Sequence, residues 1–129
     1  MNRFLIVVLA LYGGYYYASK RYEFHDTLIY AQKHPNKAWS GPVQYYIGLA
    51  YYQRTDYPKA QEAFTKLLEL DPTGYYTPKV LIHLDDVAQY NRDWDTAKAA
   101  LSRYIEEYPA GKKIELAKQR LDMLRYRHP

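Results

Sequence analysis

The sequence predicts an all-α fold of short helical hairpins, and three observations support this prediction. Apolar residues recur at helical spacing on both sides of a turn in the stretch 41–74. Pro35, Pro72 and Pro109 lie at a constant interval of 37 residues, which indicates a repeated structural unit. Hydrophobic residues make up 48% of the chain and charged residues 25%, a balance typical of a globular protein.

The stretch 41–74 predicts two amphipathic helices joined by a tight turn. Asp56 can cap the second helix, and Pro58 suits its first turn. The segment 71–74, Asp-Pro-Thr-Gly, ends that helix. The apolar faces consist of Tyr45, Ile47, Gly48 and Tyr51 on the first helix and Ala60, Phe64, Leu67 and Leu68 on the second.

This stretch resembles a tetratricopeptide repeat (TPR). The residues that match the family's pattern are Gly48, Tyr51, Ala60, Phe64 and Pro72, whereas Gln44 replaces the usual tryptophan. Gly48 and Ala60 are small where the two helices approach closely, and we expect Tyr51 and Phe64 in the core. The period of 37 residues exceeds the roughly 34 usual for the family. It resembles that of membrane-anchored bacterial envelope repeat proteins whose units end in Tyr-Pro.

A single hairpin can bury only one face, so neighbouring units are required. We predict a short solenoid of about two and a half repeats with a C-terminal capping helix, forming one domain over residues 20–129. In the second repeat, Asp85 and Ala88 stand where the first has Gly48 and Tyr51. The predicted units are a half repeat (21–35), a repeat (41–74), a second repeat (75–111) and the capping helix (113–126). The half repeat has Phe24, Leu28 and Ala31 on one face. The capping helix has an apolar stripe of Ile114, Ala117, Leu121 and Leu124.

Residues 1–19 contain an apolar run from Phe4 to Leu11 that follows Arg3 and precedes a tyrosine cluster. A cleaved signal peptide fits this charge and length, but a small-x-small cleavage site is missing. We therefore predict an uncleaved membrane anchor over 4–18, although its helix of about 22 Å is shorter than a hydrocarbon layer of about 30 Å. We expect a single-pass protein of the bacterial inner membrane with a periplasmic helical domain. The flanking charges also allow a cytoplasmic domain.

The sequence contains no recognisable catalytic, cofactor-binding or metal-binding motif. With no cysteine, disulfides and thiolate sites are excluded. His83 near Asp86 is interpreted as a surface hydrogen bond, and the adjacent Asp85 and Asp86 as solvent-facing or groove-lining groups. The segment after Ala110 holds six basic and two acidic residues, an excess of +4 that accounts for the whole net charge of the chain. Such a basic helix could contact anionic lipid, nucleic acid or an acidic partner, but its charges are interpreted as a solvated face. We predict that the protein is not an enzyme.

The main hypothesis is a membrane-tethered scaffold or assembly factor that binds another protein or a membrane protein complex, and neither nucleic acid nor a small-molecule substrate. In the TPR family the first helices of successive units line an inner groove. Carried over by position, the resemblance implies a groove formed by Tyr45, Leu49, Tyr52, Gln53, Lys79, Ile82, Asp86, Gln89 and Tyr90.

An alternative hypothesis is a small structural subunit of a larger membrane protein complex. In that case the N-terminal helix would be the main contact, and the repeats would only brace a neighbouring subunit. The predicted contact residues of that helix are Gly13, Gly14, Tyr15, Tyr16 and Tyr17.

Overall fold

The fold is all-α, as predicted. The computed structural model describes residues 2–21 and 24–129, and this part of the chain contains seven α-helices and no strand. The helices are α1 (Arg3–Arg21), α2 (Phe24–Lys33), α3 (Ser40–Gln53), α4 (Tyr57–Leu70), α5 (Thr77–Tyr90), α6 (Trp94–Glu107) and α7 (Ile114–Arg127).

The predicted membrane-spanning anchor is not found. A helix does form over the predicted segment, as α1, and its apolar side chains from Phe4 to Leu11 are exposed. However, within residues 2–21 and 24–129 no helix is both long and apolar enough to cross a membrane. The physical reason lies in the composition of α1, because its second half consists largely of tyrosine and glycine and both of its ends are basic.

The helices after α1 pack in chain order. Each helix from α2 to α7 contacts the next, and α2 also contacts α4, so that α2 covers the hairpin formed by α3 and α4. The interior is one continuous hydrophobic cluster from Leu28 on α2 to Leu124 on α7. This arrangement is consistent with a solenoid of hairpins, in which each unit buries its apolar face against its neighbours.

The hairpin of α3 and α4 depends on a close approach at Gly48. A Cβ atom at this position would lie 2.6 Å from Cε1 of Phe64, a ring that is 0% exposed. Only a residue without a side chain fits such a contact. Tyr51 is also buried, with the ring of Phe24 against it in an edge-to-face arrangement at 5.6 Å between centroids. The predicted core positions Tyr51 and Phe64 are therefore confirmed.

The turns inside the two hairpins have the same geometry. Thr55 and Arg92, which are one period apart, both adopt a left-handed backbone conformation with φ of 61° and 57°. The following residues, Asp56 and Asp93, cap α4 and α6 by accepting hydrogen bonds from backbone N–H groups three residues later. The turn is therefore a recurring element of the fold, formed without glycine.

At position 44, where the family usually has tryptophan, a buried glutamine forms a polar contact. Gln44 is 1% exposed, and its Nε2 donates a hydrogen bond to Oγ of Ser40 at 2.9 Å. Ser40 Oγ in turn donates to the backbone carbonyl of Ala31 on α2 at 2.5 Å. A short chain of hydrogen bonds thus joins α3 to α2 where an indole ring would otherwise fill space.

Candidate functional site

One face of α5 lies along two surface cavities. Five residues of α5 share this face, because each follows an earlier member of the set by three or four residues: Lys79, Ile82, Asp86, Gln89 and Tyr90. Each of them lines one of the two cavities. We call the face and its cavities the α5 groove, with an N-terminal cavity near Lys79 and a C-terminal cavity near Tyr90.

The N-terminal cavity has a volume of ≈ 550 Å³. It lies between α3, the first turns of α5, and the end of α6 with the loop that follows it. Aromatic side chains form much of its wall, and lysines stand around it. Its lining residues are Tyr45, Tyr75, Pro78, Lys79, Ile82, His83, Tyr104, Tyr108, Gly111, Lys112 and Lys113.

The C-terminal cavity has a volume of ≈ 390 Å³ and lies between α5 and α7. Its wall combines acidic, basic and aromatic side chains. At one side the indole of Trp94 stacks on the imidazole of His128, with 3.8 Å between ring centroids. The lining residues are Asp86, Gln89, Tyr90, Trp94, Arg120, Met123, Leu124, Arg127 and His128.

Six of the nine residues predicted for the groove line these cavities: Tyr45, Lys79 and Ile82 the first, and Asp86, Gln89 and Tyr90 the second. Tyr45 is only 6% exposed, because its ring stacks on Tyr76 at 4.5 Å and its hydroxyl contacts His83 Nε2 at 3.1 Å. Its role is therefore largely one of packing.

The other three predicted groove residues lie on α3 outside the linings of the two cavities. Leu49 packs against the hydrophobic core, and Gln53 is exposed. Tyr52 belongs to an aromatic cluster with Tyr57 and Tyr90, which themselves stack in parallel with 4.2 Å between their centroids. Through this cluster α3 and α4 contact the C-terminal end of the groove.

The prediction that Asp85 faces solvent or the groove is wrong. Its side chain is 0% exposed, and it is held by Arg120 of α7 at 2.9 Å and by Nε2 of Gln89 at 2.8 Å. The same guanidinium donates to Asp86 Oδ1 at 2.7 Å. Burial raises the pKa of Asp85 above its usual 3.8, although the hydrogen bonds from Gln89 and Arg120 oppose this shift.

His83 likewise differs from its interpretation as a surface residue bonded to Asp86. Its ring is partly buried, stacks on Phe64 at 5.7 Å between centroids, and contacts the Tyr45 hydroxyl. Burial lowers the pKa of His83 below 6.5, and the negative charge of Asp86 only partly offsets this effect. Burial between two hairpins therefore disfavours the charged form of the imidazole.

Sequence reasoning missed the part of the groove that lies beyond α5. Arg120 was assigned to a solvated face, yet it joins α7 to α5 through two carboxylates. The 37-residue period could have indicated this contact, because α7 lies one period after α5 and therefore takes the place of a first helix in the following unit. Lys112 and Lys113 gave no local signal, because the loop between α6 and α7 brings them to the N-terminal cavity only in the folded chain.

The contact residues predicted for α1 are not part of the groove. Tyr15, Tyr16 and Tyr17 are exposed, and a Cβ atom on Gly13 or Gly14 would meet nothing within 4 Å. In the described part of the chain, no group of three His, Asp or Glu side chains is placed to hold a metal ion.

Models of known protein families match segments of both repeats. Residues 42–73 match a family model described as tetratricopeptide repeat, and residues 87–111 match a second model with the same description. The first match covers the hairpin of α3 and α4, and the second covers the end of α5, all of α6 and the loop after it. No curated protein matches the chain.

Proposed function

Because the chain is a tetratricopeptide repeat protein, we propose that it binds an extended segment of another protein along the α5 groove. The observation that supports this proposal is the position of two cavities along a single helix face, with aromatic and charged side chains in both. In this role the protein is a scaffold that holds a partner, and it needs no reacting group of its own.

The dimensions of the groove suit a short stretch of extended chain. From Lys79 to Tyr90 the helix rises about 1.5 Å per residue, or about 16 Å in total. An extended peptide advances about 3.3 Å per residue, so about five residues span the groove. Such a peptide would place one side chain over each cavity.

The side chains of the groove suit recognition of a protein. Tyr90 is 60% exposed although it stacks on Tyr57, so its ring presents a large surface that is already ordered. A rigid aromatic side chain loses little conformational entropy on binding, which makes it an effective contact for a partner. Gln89 and Lys79 add hydrogen-bond donors that fix the register of a bound segment.

The proposal is tested by selecting short random peptides on the immobilised full chain and measuring their affinity in solution. Tyr90→Ala removes an exposed ring of the groove and is expected to weaken binding of the selected peptides on the order of tenfold or more. Tyr126→Ala is the matched control, because Tyr126 is 88% exposed on α7 and lines neither cavity. We expect the control to bind like the unchanged protein.

Two results would contradict the proposal. Selection that yields no peptide with reproducible affinity argues against a binding groove altogether. Peptides that bind equally well to the unchanged protein and the Tyr90→Ala variant use another surface.

Cellular location stays a prediction, namely a bacterial inner membrane with a periplasmic helical domain. Separation of cells into periplasmic, membrane and cytoplasmic fractions, followed by detection of the protein, tests it directly. Protease treatment of intact spheroplasts distinguishes the two orientations considered above.

A further inference from the structure

Among the residues that the structure describes, those lining the N-terminal cavity include three lysines and no carboxylate. Lys79, Lys112 and Lys113 are exposed, and within the described residues none of them takes part in an ion pair. Lys79 Nζ lies 5.3 Å from the centroid of the Tyr75 ring, a cation–π contact. Uncompensated positive charge around a concave surface attracts anionic groups to it.

The wall between these lysines is apolar and aromatic. Ile82 is 9% exposed, and Pro78 and Tyr108 are partly buried beside it. The nearly buried Tyr104 accepts, at its hydroxyl oxygen, a hydrogen bond of 3.1 Å from the backbone N–H of Lys113. This bond positions the lysine pair of the α6–α7 loop next to the apolar wall.

The C-terminal cavity has a different charge balance. Its Arg120 is already engaged by Asp85 and Asp86, so those three groups together contribute about one negative charge. Arg127 is a further cation of this lining and offsets that charge. The positive charge of the α5 groove is therefore concentrated at its N-terminal end.

We propose that the N-terminal cavity binds an aliphatic or aromatic side chain of the partner that is flanked by acidic residues. The apolar side chain contacts Ile82 and the tyrosine rings, and the neighbouring carboxylates face Lys79, Lys112 and Lys113. This inference rests on the proposed function, because it names the chemistry of the segment bound in the same groove. It is supported by charge complementarity and by the apolar wall between the lysines.

A nucleic acid fits the groove less well than an acidic peptide. Binding a phosphate backbone requires basic side chains spaced along its path. Beyond Ile82, the α5 face continues with Asp86, Gln89 and Tyr90, of which none is basic. The lysines are grouped at one end, which suits a few carboxylates close together.

The test uses the peptides selected on the immobilised full chain. We expect the enriched peptides to combine glutamate or aspartate with an adjacent aliphatic or aromatic residue. In the variant K79E/K112E/K113E their affinity should fall on the order of tenfold or more, and high salt should reduce this difference. A second selection on the variant should favour basic peptides instead.

The control variant K59E/K66E/K118E changes the net charge equally at three exposed lysines outside the cavity. Its affinity for the acidic peptides should stay within about twofold of that of the unchanged protein. Circular dichroism of both variants checks that they are folded.

The outcomes separate this inference from the proposed function. Peptides that need Tyr90 but are neutral or basic, or that bind K79E/K112E/K113E unchanged, contradict the inference and leave the proposed function standing. Selection without any groove-binding peptide contradicts both. A competition experiment gives a further test. If a single-stranded DNA oligonucleotide displaced the bound peptide as effectively as an acidic competitor peptide of equal charge does, the cavity would recognise charge alone and the inference would be overturned.

Discussion

Replacement of Arg120 should destabilise the fold strongly, because this side chain compensates a carboxylate that has no access to solvent. In the variant Arg120→Met, Asp85 keeps the hydrogen bond from Gln89 but loses the guanidinium, which is the one cation in contact with it among the described residues. The contact between α7 and the second repeat would then contain an unpaired charge, and α7 should be the first element to separate. We predict lower stability for the whole helical domain.

The magnitude follows from the burial of the two partners. Removal of one partner of a buried ion pair costs about 3–5 kcal/mol. Asp85 is fully buried, but Arg120 is 28% exposed and Gln89 still donates to the carboxylate, which places the loss near the lower limit, at about 3 kcal/mol. Small domains have a total stability of about 5–15 kcal/mol, so this loss is a large part of it.

The assay is urea unfolding followed by circular dichroism, with three comparisons. Asp85→Asn in the Arg120→Met background removes the unpaired charge and should recover most of the loss. Lys118→Met on the same helix breaks only an exposed pair with Glu115 at 4.0 Å and should change stability by less than about 0.5 kcal/mol. At about pH 5 the loss in Arg120→Met should be smaller than at about pH 7.5.

The sign of this pH effect follows from proton linkage. Burial raises the pKa of Asp85 in the folded protein above 3.8, and loss of Arg120 removes a group that lowers it. Between the unfolded and folded pKa values the folded state binds more protons, so stability falls as the pH rises through this window. A loss below about 1 kcal/mol in Arg120→Met, or no recovery in the double variant, would refute the reasoning.

Three further predictions concern packing, capping and protonation. Gly48→Ala should lower the free energy of unfolding by about 1–2 kcal/mol, because the added Cβ meets the core ring of Phe64. Gly41→Ala on the same helix has open space at its Cβ and should be neutral or stabilising. Urea unfolding measures both variants. Asp93→Ala should cost about 1–2 kcal/mol by the same assay, since this cap accepts several hydrogen bonds, and Asp56→Ala, whose cap bond is 3.4 Å long, should cost less. Stability should fall as the pH drops below 6.5, because the partly buried His83 has a lowered pKa and the unfolded state then binds more protons. His83→Gln should flatten this dependence in thermal melts across pH.

Each of these predictions has a result that would contradict it. Equal stability of the two glycine variants would mean that the hairpin opens at no cost. Equal losses in the two aspartate variants would show that the additional hydrogen bonds of Asp93 contribute nothing. An unchanged pH dependence in His83→Gln would assign the titration to another group.

The hairpin architecture was predictable because its determinants are local or periodic. Apolar residues at helical spacing define each helix, and Asp56 and Asp93 mark where the second helix of each hairpin begins. The resemblance to the family's pattern predicted the close helix approach at Gly48 and the burial of the Phe64 ring. These features depend on residues within a single hairpin, which the sequence displays together.

The groove was predictable in part, for the same reason. The resemblance to the family assigned five residues of α5 to the groove, and all five line the cavities because they share one face of the helix. Tyr52, which the family's pattern also assigned to the groove, instead joins an aromatic cluster formed by three separate helices. Contacts of that kind depend on the angle between hairpins, which no spacing along one helix specifies.

Spacing and periodicity were sufficient to predict that this chain forms paired helices that pack in chain order, because helices and hairpins depend on near neighbours in the chain. Only the tertiary structure decided the environment of the charged groups. Asp85 is buried because Arg120 arrives from a helix 35 residues away, and the lysines of a distant loop complete the N-terminal cavity. Charges interact through space, so their pairing and their effect on a binding surface are set only when the helices have packed.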